Sequence, residues 1–386
     1  MAEWTKYKIS DIGTVVGGAT PSTKKSENYE NGDISWITPK DLSTFCGRYI
    51  KQGERNITET GYRSCSTQLL PRNSVLFSSR APIGYVAIAA KELCTNQGFK
   101  SVIPNENIDP LFLYYLLKYN KHNIESMGSG TTFKEVSANT MRNIIVFVPS
   151  DKRVQEKIAS ILGLLDNKIE ENERINNNLE QQAQTIYQQM FIDNARSDWA
   201  EGTLSDIADI TMGQSPSGSS YNEDGTGTIF FQGRAEFGFR FPSVRLYTTE
   251  PKRMARSNDT LMSVRAPVGD LNVAHMDCCI GRGLAAIHSK SHHQSFVLYT
   301  MFSLKKQLDV FNGEGTVFGS INRNALNDMP ILIPSDDILN EFERIVAPMD
   351  LTIRNNYDEN CRLQDIRDTL LPRLMSGELD VSDIDI

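Results

Sequence analysis

The chain has 386 residues, 39% hydrophobic and 23% charged, an ordinary balance for a globular protein with room for two or three domains. No run of about eighteen apolar residues occurs, which excludes a membrane-spanning helix, and Met1-Ala2-Glu3-Trp4 opens no apolar signal core. The formal charge of −8 excludes little, because residues 1–150 carry 17 Lys/Arg against 13 Asp/Glu while residues 335–386 carry 5 against 13. Cys46, Cys65, Cys94, Cys278, Cys279 and Cys361 show no CxxC spacing and are expected to be reduced thiols of a cytoplasmic protein.

Residues 1–150 begin with a Gly/Ser/Thr/Asn-rich loop at 17–32, followed by Trp36-Ile37-Thr38-Pro39-Lys40-Asp41-Leu42. Strands are expected at 74–78, 85–90 and 143–148, the first two flanking the turn Arg80-Ala81-Pro82-Ile83-Gly84. An amphipathic helix is expected near 110–119, and a second small-residue loop is Gly128-Ser129-Gly130-Thr131-Thr132-Phe133. Pro149 closes this part.

From 151 to about 194 the pattern changes to heptads. Ile158, Leu165, Asn172, Leu179 and Ile186 form one series, and Leu162, Ile169, Asn176, Ala183 and Met190 a second, offset by four. No Pro interrupts residues 152–193, and Gly163 is the one glycine inside. A helix from 158 to 190 makes a rod of roughly 50 Å. Residues 335–386 repeat the pattern with Phe342, Met349, Asn356, Leu363, Leu370 and with Val346, Ile353, Asn360, Arg367, Leu374. Asn172 and Asn176 thus recur as Asn356 and Asn360, where buried Asn costs stability and fixes register. Arg367 breaks its series, so that end of the seam is expected to be open or capped by another protein.

Between the two helices, residues 197–334 copy the first part. Arg265-Ala266-Pro267-Val268-Gly269, Gly313-Glu314-Gly315-Thr316-Val317-Phe318 and Pro334-Ser335-Asp336 all lie 185 residues after their counterparts. Strands are expected at 260–264 and 331–333, and a helix at 295–311. The organisation read from this repeat is 1–150 and 197–334 as globular domains, with long helices at 151–196 and at 335–386, the latter ending in an acidic tail. The fold class is mixed α/β (α+β) with a pseudo-two-fold repeat. The chain leaves the first domain down one helix and enters the second at its far end, so the returning helix is expected to be antiparallel to the first.

Catalytic motifs are missing. There is no Asn/Asp-Pro-Pro-Tyr/Phe segment, and the Gly-x-Gly pieces lack a strand–turn–helix setting. Pro149-Ser150-Asp151 followed by Asp166-Asn167-Lys168 only loosely mimics a nuclease carboxylate–lysine motif, and these residues are read as a solvated helix face. His288, His292 and His293 lack completing ligands and are read as loop residues. The polar-aromatic segments offer more. Thr38 and Lys40 in one copy, and Gln232 and Arg234 in Phe230-Phe231-Gln232-Gly233-Arg234-Ala235-Glu236-Phe237-Gly238, are side chains that can read base edges, Arg and Lys at guanine and Gln at adenine. Plain solvated strand–loops are the competing reading. Arg80 and Arg265 head the matched turns and either cover strand ends or hold phosphate, and Lys134, Arg282 and Ser320 share that ambiguity. A rod of roughly 50 Å spans some fourteen base pairs at about 3.4 Å each.

The duplicated Arg-Ala-Pro-x-Gly turns, the segments 36–42 and 230–238, the paired helices and Leu370-Leu371-Pro372-Arg373-Leu374-Met375-Ser376-Gly377-Glu378-Leu379 together resemble the specificity subunit of type I restriction–modification enzymes, over essentially the whole chain. The resemblance implies two target-recognition domains on a coiled-coil spacer, each reading half of a bipartite double-stranded DNA target. It implies a chain without catalysis or cofactor, docking two methyltransferase subunits, which hold S-adenosylmethionine, and two motor-nuclease subunits for cleavage. Two readings compete: a duplicated coiled-coil adaptor for protein or glycan, and a standalone methyltransferase or nuclease.

Overall fold

A computed structural model describes residues 3–130, 134–313, 319–382 and 384. It is a mixed α/β chain that divides into two compact units, the first made of 1–172 and 359–386 and the second of 173–358. Each unit therefore takes a globular part together with a stretch of each long helix.

Among the described residues the first unit has the strands β1 (Trp4–Lys8), β2 (Gly13–Gly17), β3 (Ile34–Ile37), β4 (Tyr49–Ile50), β5 (Arg55–Ile57), β6 (Val75–Ser79), β7 (Ile83–Ala89), β8 (Cys94–Thr95), β9 (Lys100–Pro104) and β10 (Ile145–Pro149). They form a ladder β1-β10, a five-stranded sheet β2-β9-β6-β7-β4 and a three-stranded sheet β5-β3-β8. The helix Pro110–Tyr119 starts where its pattern predicts, with Pro110 in its first turn and the Asp109 carboxylate accepting from the Phe112 amide at 2.7 Å. Phe112, Leu113, Tyr115 and Leu116 bury its inner face in a core shared with Val75, Phe77 and Ile88.

The second unit repeats this plan with β11 (Ala200–Thr203), β12 (Ala208–Met212), β13 (Tyr221–Asn222), β14 (Thr228–Phe231), β15 (Leu246–Thr248), β16 (Met254–Ala255), β17 (Thr260–Ser263), β18 (Leu271–Val273), β19 (Cys278–Ile280), β20 (Leu284–Ser289) and β21 (Pro330–Ile333). The sheets are β11-β21, β12-β20-β17-β18 and β13-β15-β14-β19-β16. The helix expected over 295–311 is broken into Gln294–Ser303, Lys305–Leu308 and a 3-10 turn Asp309–Asn312. His288 is a strand residue on β20, not a loop residue, and its Nδ1 lies 2.6 Å from Asp259 Oδ1. No three His, Cys, Asp or Glu side chains gather as a metal site among the described residues. No helix among them is long and apolar enough to cross a membrane.

The first long helix runs Lys152–Tyr187 and continues as a π-turn, Gln188–Asp193; the second runs Asp336–Met375. None of the twenty heptad residues is exposed. In the first unit Asn172 Nδ2 donates to Asn360 Oδ1 at 2.9 Å and to Glu359 Oε2 at 2.7 Å. In the second, Asn356 Nδ2 donates to Asn176 Oδ1 at 2.8 Å. Within each unit the numbers rise on one helix as they fall on the other, so the paired stretches are antiparallel.

Two sequence expectations for these helices are corrected. Arg367 leaves no open seam: its Nη1 lies 2.8 Å from Asp166 Oδ1, while Asp166 Oδ2 accepts from the Tyr115 hydroxyl at 2.6 Å. Asp166 consequently is not a solvated residue, since only 7% of its side chain is exposed. A charge at a seam position is tolerated when its counter-charge and a hydroxyl are buried with it. The same arrangement recurs 184 residues on, where Tyr299 donates to Asp350 Oδ1 at 2.8 Å.

A buried arginine clasps each globular part to the helices. Arg48 Nε donates to Glu170 Oε1 at 3.0 Å, Nη1 to the Gly163 carbonyl at 3.3 Å and Nη2 to Asn167 Oδ1. A Cβ on Gly163 would stand 3.2 Å from Leu111 and 3.3 Å from this guanidinium, so a larger residue there would require both side chains to give by a few tenths of an ångström. Burial opposes the charge, yet Glu170 and its neighbours hold Arg48 above the ordinary guanidinium value. Arg240 does the corresponding work in the second unit, 2.9 Å from Glu180 and 3.1 Å from both Asp350 and the Tyr299 hydroxyl.

Candidate nucleic-acid interface

In each unit two parallel strands end side by side. β3 pairs with β8 through Trp36↔Cys94 and Ile37↔Thr95, and β14 pairs with β19 through Phe230↔Cys279 and Phe231↔Ile280. One more bond closes each pair, Asn96 N to the Ile37 carbonyl at 2.9 Å and Gly281 N to the Phe231 carbonyl at 2.8 Å. The next residues are therefore delivered to the same place: Thr38 in the first unit and Gln232 in the second.

Thr38 caps the short helix Pro39–Ser43, its amide and hydroxyl both donating to Asp41 Oδ2 at 2.7 Å. Its hydroxyl can then only accept from a ligand. Lys40 is exposed, and its ammonium lies 2.8 Å from Glu54, whose hydrogen bond raises the Lys40 pKa and lowers that of Glu54. Gln232 is exposed, and Arg234 lies 3.1 Å from Asp270. An exposed pair adds little to stability, so Lys40 can exchange its carboxylate for another partner at little cost, while Asp270 also holds Lys305 at 3.1 Å and so keeps a cation if Arg234 leaves.

The Arg-Ala-Pro-x-Gly turns lie beside these strand ends. Ser78 Oγ donates to the Pro82 carbonyl at 2.8 Å and Ser263 Oγ to the Pro267 carbonyl at 2.7 Å, bracing the same turn twice. Gly84 and Gly269 close the turns at φ +98° and +84°, a region that glycine enters without a Cβ penalty. Arg80 Nη1 lies 3.3 Å from Glu135 Oε2, while Lys100 takes the other oxygen at 3.2 Å. Arg265 is exposed and bridges to Ser320 through its backbone. Arg282 is exposed, its amide donating to Ser215 Oγ at 3.3 Å. Neither guanidinium has an ionic partner among the described residues.

Contacts join these residues into one strip per unit. Pro39, between Thr38 and Lys40, packs so closely on Gly98 that a Cβ there would come within 2.8 Å. The Gly98 carbonyl accepts from Ser79 N at 2.7 Å, next to Arg80, and Glu135 follows the exposed Lys134. In the second unit Gln232 packs on Gly283, whose carbonyl accepts from Val264 N at 2.9 Å, next to Arg265. Thr131, Thr132 and Phe133, and likewise residues 314–318 of the matching loop, lie outside the described residues. Sequence reading missed Glu135 and the buried Arg48 and Arg240. A clue for the arginines exists only in three dimensions, because their offset of 192 differs from the 185 of the turns.

A family model described as type I restriction modification DNA specificity domain matches residues 1–181. The type I restriction enzyme MjaIX specificity subunit of Methanocaldococcus jannaschii is 32% identical, the alignment covering 99% of this chain and 95% of that protein. A putative MjaX specificity subunit from the same organism is 30% identical over 86% of each chain. The fold is similar to the crystal structure of a type I restriction-modification system S subunit from M. genitalium, with a TM-score of 0.64 over 97% of this chain and 96% of that one. At 17% identity that likeness concerns the fold alone. The full-length relatives set aside both the adaptor and the standalone-enzyme readings: this chain belongs to the specificity subunits of type I restriction–modification enzymes, the non-catalytic component that confers DNA sequence specificity.

Proposed function

We propose that the chain directs a type I restriction–modification complex to a bipartite target on double-stranded DNA, one half read by each globular part. The observation that carries this is the duplicated strand end: β3/β8 and β14/β19 deliver Thr38 and Gln232 in one register, with Lys40 and Arg234 two residues on. Arg80 and Lys134 in the first unit, and Arg265, Arg282 and Ser320 in the second, sit beside the readers and hold phosphates, the contacts that position without specifying. The domains are 1–150 and 197–334; the long helices at 151–196 and 335–386 pair as an antiparallel coiled coil and set the unread gap. Asn172, Asn176, Asn356 and Asn360 keep its register.

Two methyltransferase subunits dock on this duplicated frame and supply S-adenosylmethionine, and two motor-nuclease subunits join for cleavage. A cytoplasmic location suits such a complex. The test is genome-wide mapping of methylated adenines with and without the gene. One bipartite motif with a fixed gap is expected to vanish with the gene; an unchanged methylation map would overturn the proposal.

A further inference from the structure

The parallel strand pairs deliver a second residue beside each reader. β8 and β19 end level with β3 and β14, and the residues after them, Asn96-Gln97-Gly98 and Gly281-Arg282-Gly283, occupy equivalent places. Gln97 is thus the counterpart of Arg282, and both side chains are exposed. Gly98 is pressed against Pro39, and Gly283 against the Gln232 backbone, so the second residue stands directly beside the first reader in each unit.

The Gln97 carboxamide is also oriented. Thr20 Oγ1 donates to Gln97 Oε1, and Thr20 is carried by a loop that lies against the end of β8: a Cβ on Gly18 would fall 2.1 Å from the Thr95 carbonyl. The Ala19 amide donates to that same carbonyl at 3.1 Å. With one lone pair of Oε1 occupied, the other remains to accept and Nε2 remains to donate. That pair of functions matches the N6 amine and N7 of adenine. A side chain already held in place loses less conformational freedom on binding than a free one.

We infer that Gln97 is a specificity-determining residue of the first unit, reading an adenine next to the base contacted from Thr38–Lys40. Its inference rests on the bipartite reading proposed above. Gln97 is neutral, so it contributes sequence preference and not the salt-dependent phosphate attraction that Arg282 offers at the same place.

The test uses the full chain assembled with its methyltransferase subunits, as wild type, Gln97→Ala and Gln97→Glu, methylating a duplex pool randomised through both half-sites. Gln97→Ala is expected to reduce the preference for adenine at one position of one half-site by roughly ten- to a hundred-fold, leaving the other half-site unchanged. Gln97→Glu keeps the oxygen that accepts from Thr20 but replaces the Nε2 donor with an acceptor, so it is expected to shift that position towards cytosine, whose N4 amine donates. If Gln97→Ala fails to assemble, Gln97→Glu decides alone, since it preserves the bond that braces the loop. A uniform loss of rate with unchanged base preferences, or a change in both half-sites, would overturn the role of Gln97. The wild-type arm separates the two ideas: a continuous motif overturns the bipartite reading, whereas a bipartite motif unaltered by both variants overturns Gln97 alone.

Discussion

Arg48 and Arg240 occupy matched clasps with different access to water, and that difference is measurable. The side chains facing Arg240 are 16% and 22% exposed at Glu180 and Asp350, whereas Glu170 opposite Arg48 is 35% exposed. Removing one member of a buried ionic group costs about 3–5 kcal/mol because the remaining charges stay desolvated. Arg240→Met should approach that cost in urea denaturation, and Arg48→Met should cost distinctly less because Glu170 regains water. Equal losses would show that packing of the stems, not the charge, dominates. Among the reading residues, Gln232→Ala and Arg234→Ala should relax one half of the target by about 1–3 kcal/mol per lost bidentate contact, and Lys40→Ala the other half. Thr38→Ala should in addition loosen the turn, because it deletes the hydroxyl that caps on Asp41. Target profiles from a randomised duplex pool, with both halves altered by a single substitution, would refute this division.

For the long helices, the hydrophobic period predicts which faces are covered, and all twenty a and d positions are covered in the structure. What the pattern misjudges is Arg367, since a one-dimensional period has no knowledge of what stands opposite. Asp166 falls just outside the heptad series, between Leu165 and Asn167, and only the packing of the second helix and of Tyr115 brings three polar groups together there. The asparagine pairs give a prediction for these elements. Replacing Asn172, Asn176, Asn356 and Asn360 together with Leu exchanges hydrogen bonds for apolar contact, so the melting temperature should rise while the register loosens. Thermal denaturation and mapping of methylated sites check the two halves of the statement. A lower melting temperature with an unchanged gap would mean that the asparagines act through local packing instead.

At the scale of the molecule, the proposed spacer can be tested as a ruler. Seven residues inserted at one heptad boundary in both helices add about 10 Å, or roughly three base pairs at about 3.4 Å each. The methylated target should gain about three unread pairs and keep both half-sites. Part of the activity should be lost, because roughly three pairs also turn one half-site by about a third of a helical turn while the heptad keeps the seam aligned. The variant's methylation map, taken with its partner subunits, gives the result. An unchanged gap at full activity would show that the helices do not set the distance.

By itself the sequence determined the duplication, the two helices with their covered faces, the Arg-Ala-Pro-x-Gly turns and the absence of catalytic motifs, because each is local in the chain: a period, a fixed offset, a turn composition. The helix Pro110–Tyr119 was legible for the same reason, whereas over 295–311 the period ran on as one helix where the structure has Gln294–Ser303 followed by two short turns. Tertiary structure alone decided that Thr38 and Gln97, far apart in the chain, stand at neighbouring strand ends. It alone placed Arg48 over Gly163 and paired Arg367 with Asp166. Parallel strand pairing and buried charge networks join residues whose separation in sequence carries no period, so nothing short of the packed fold reveals them.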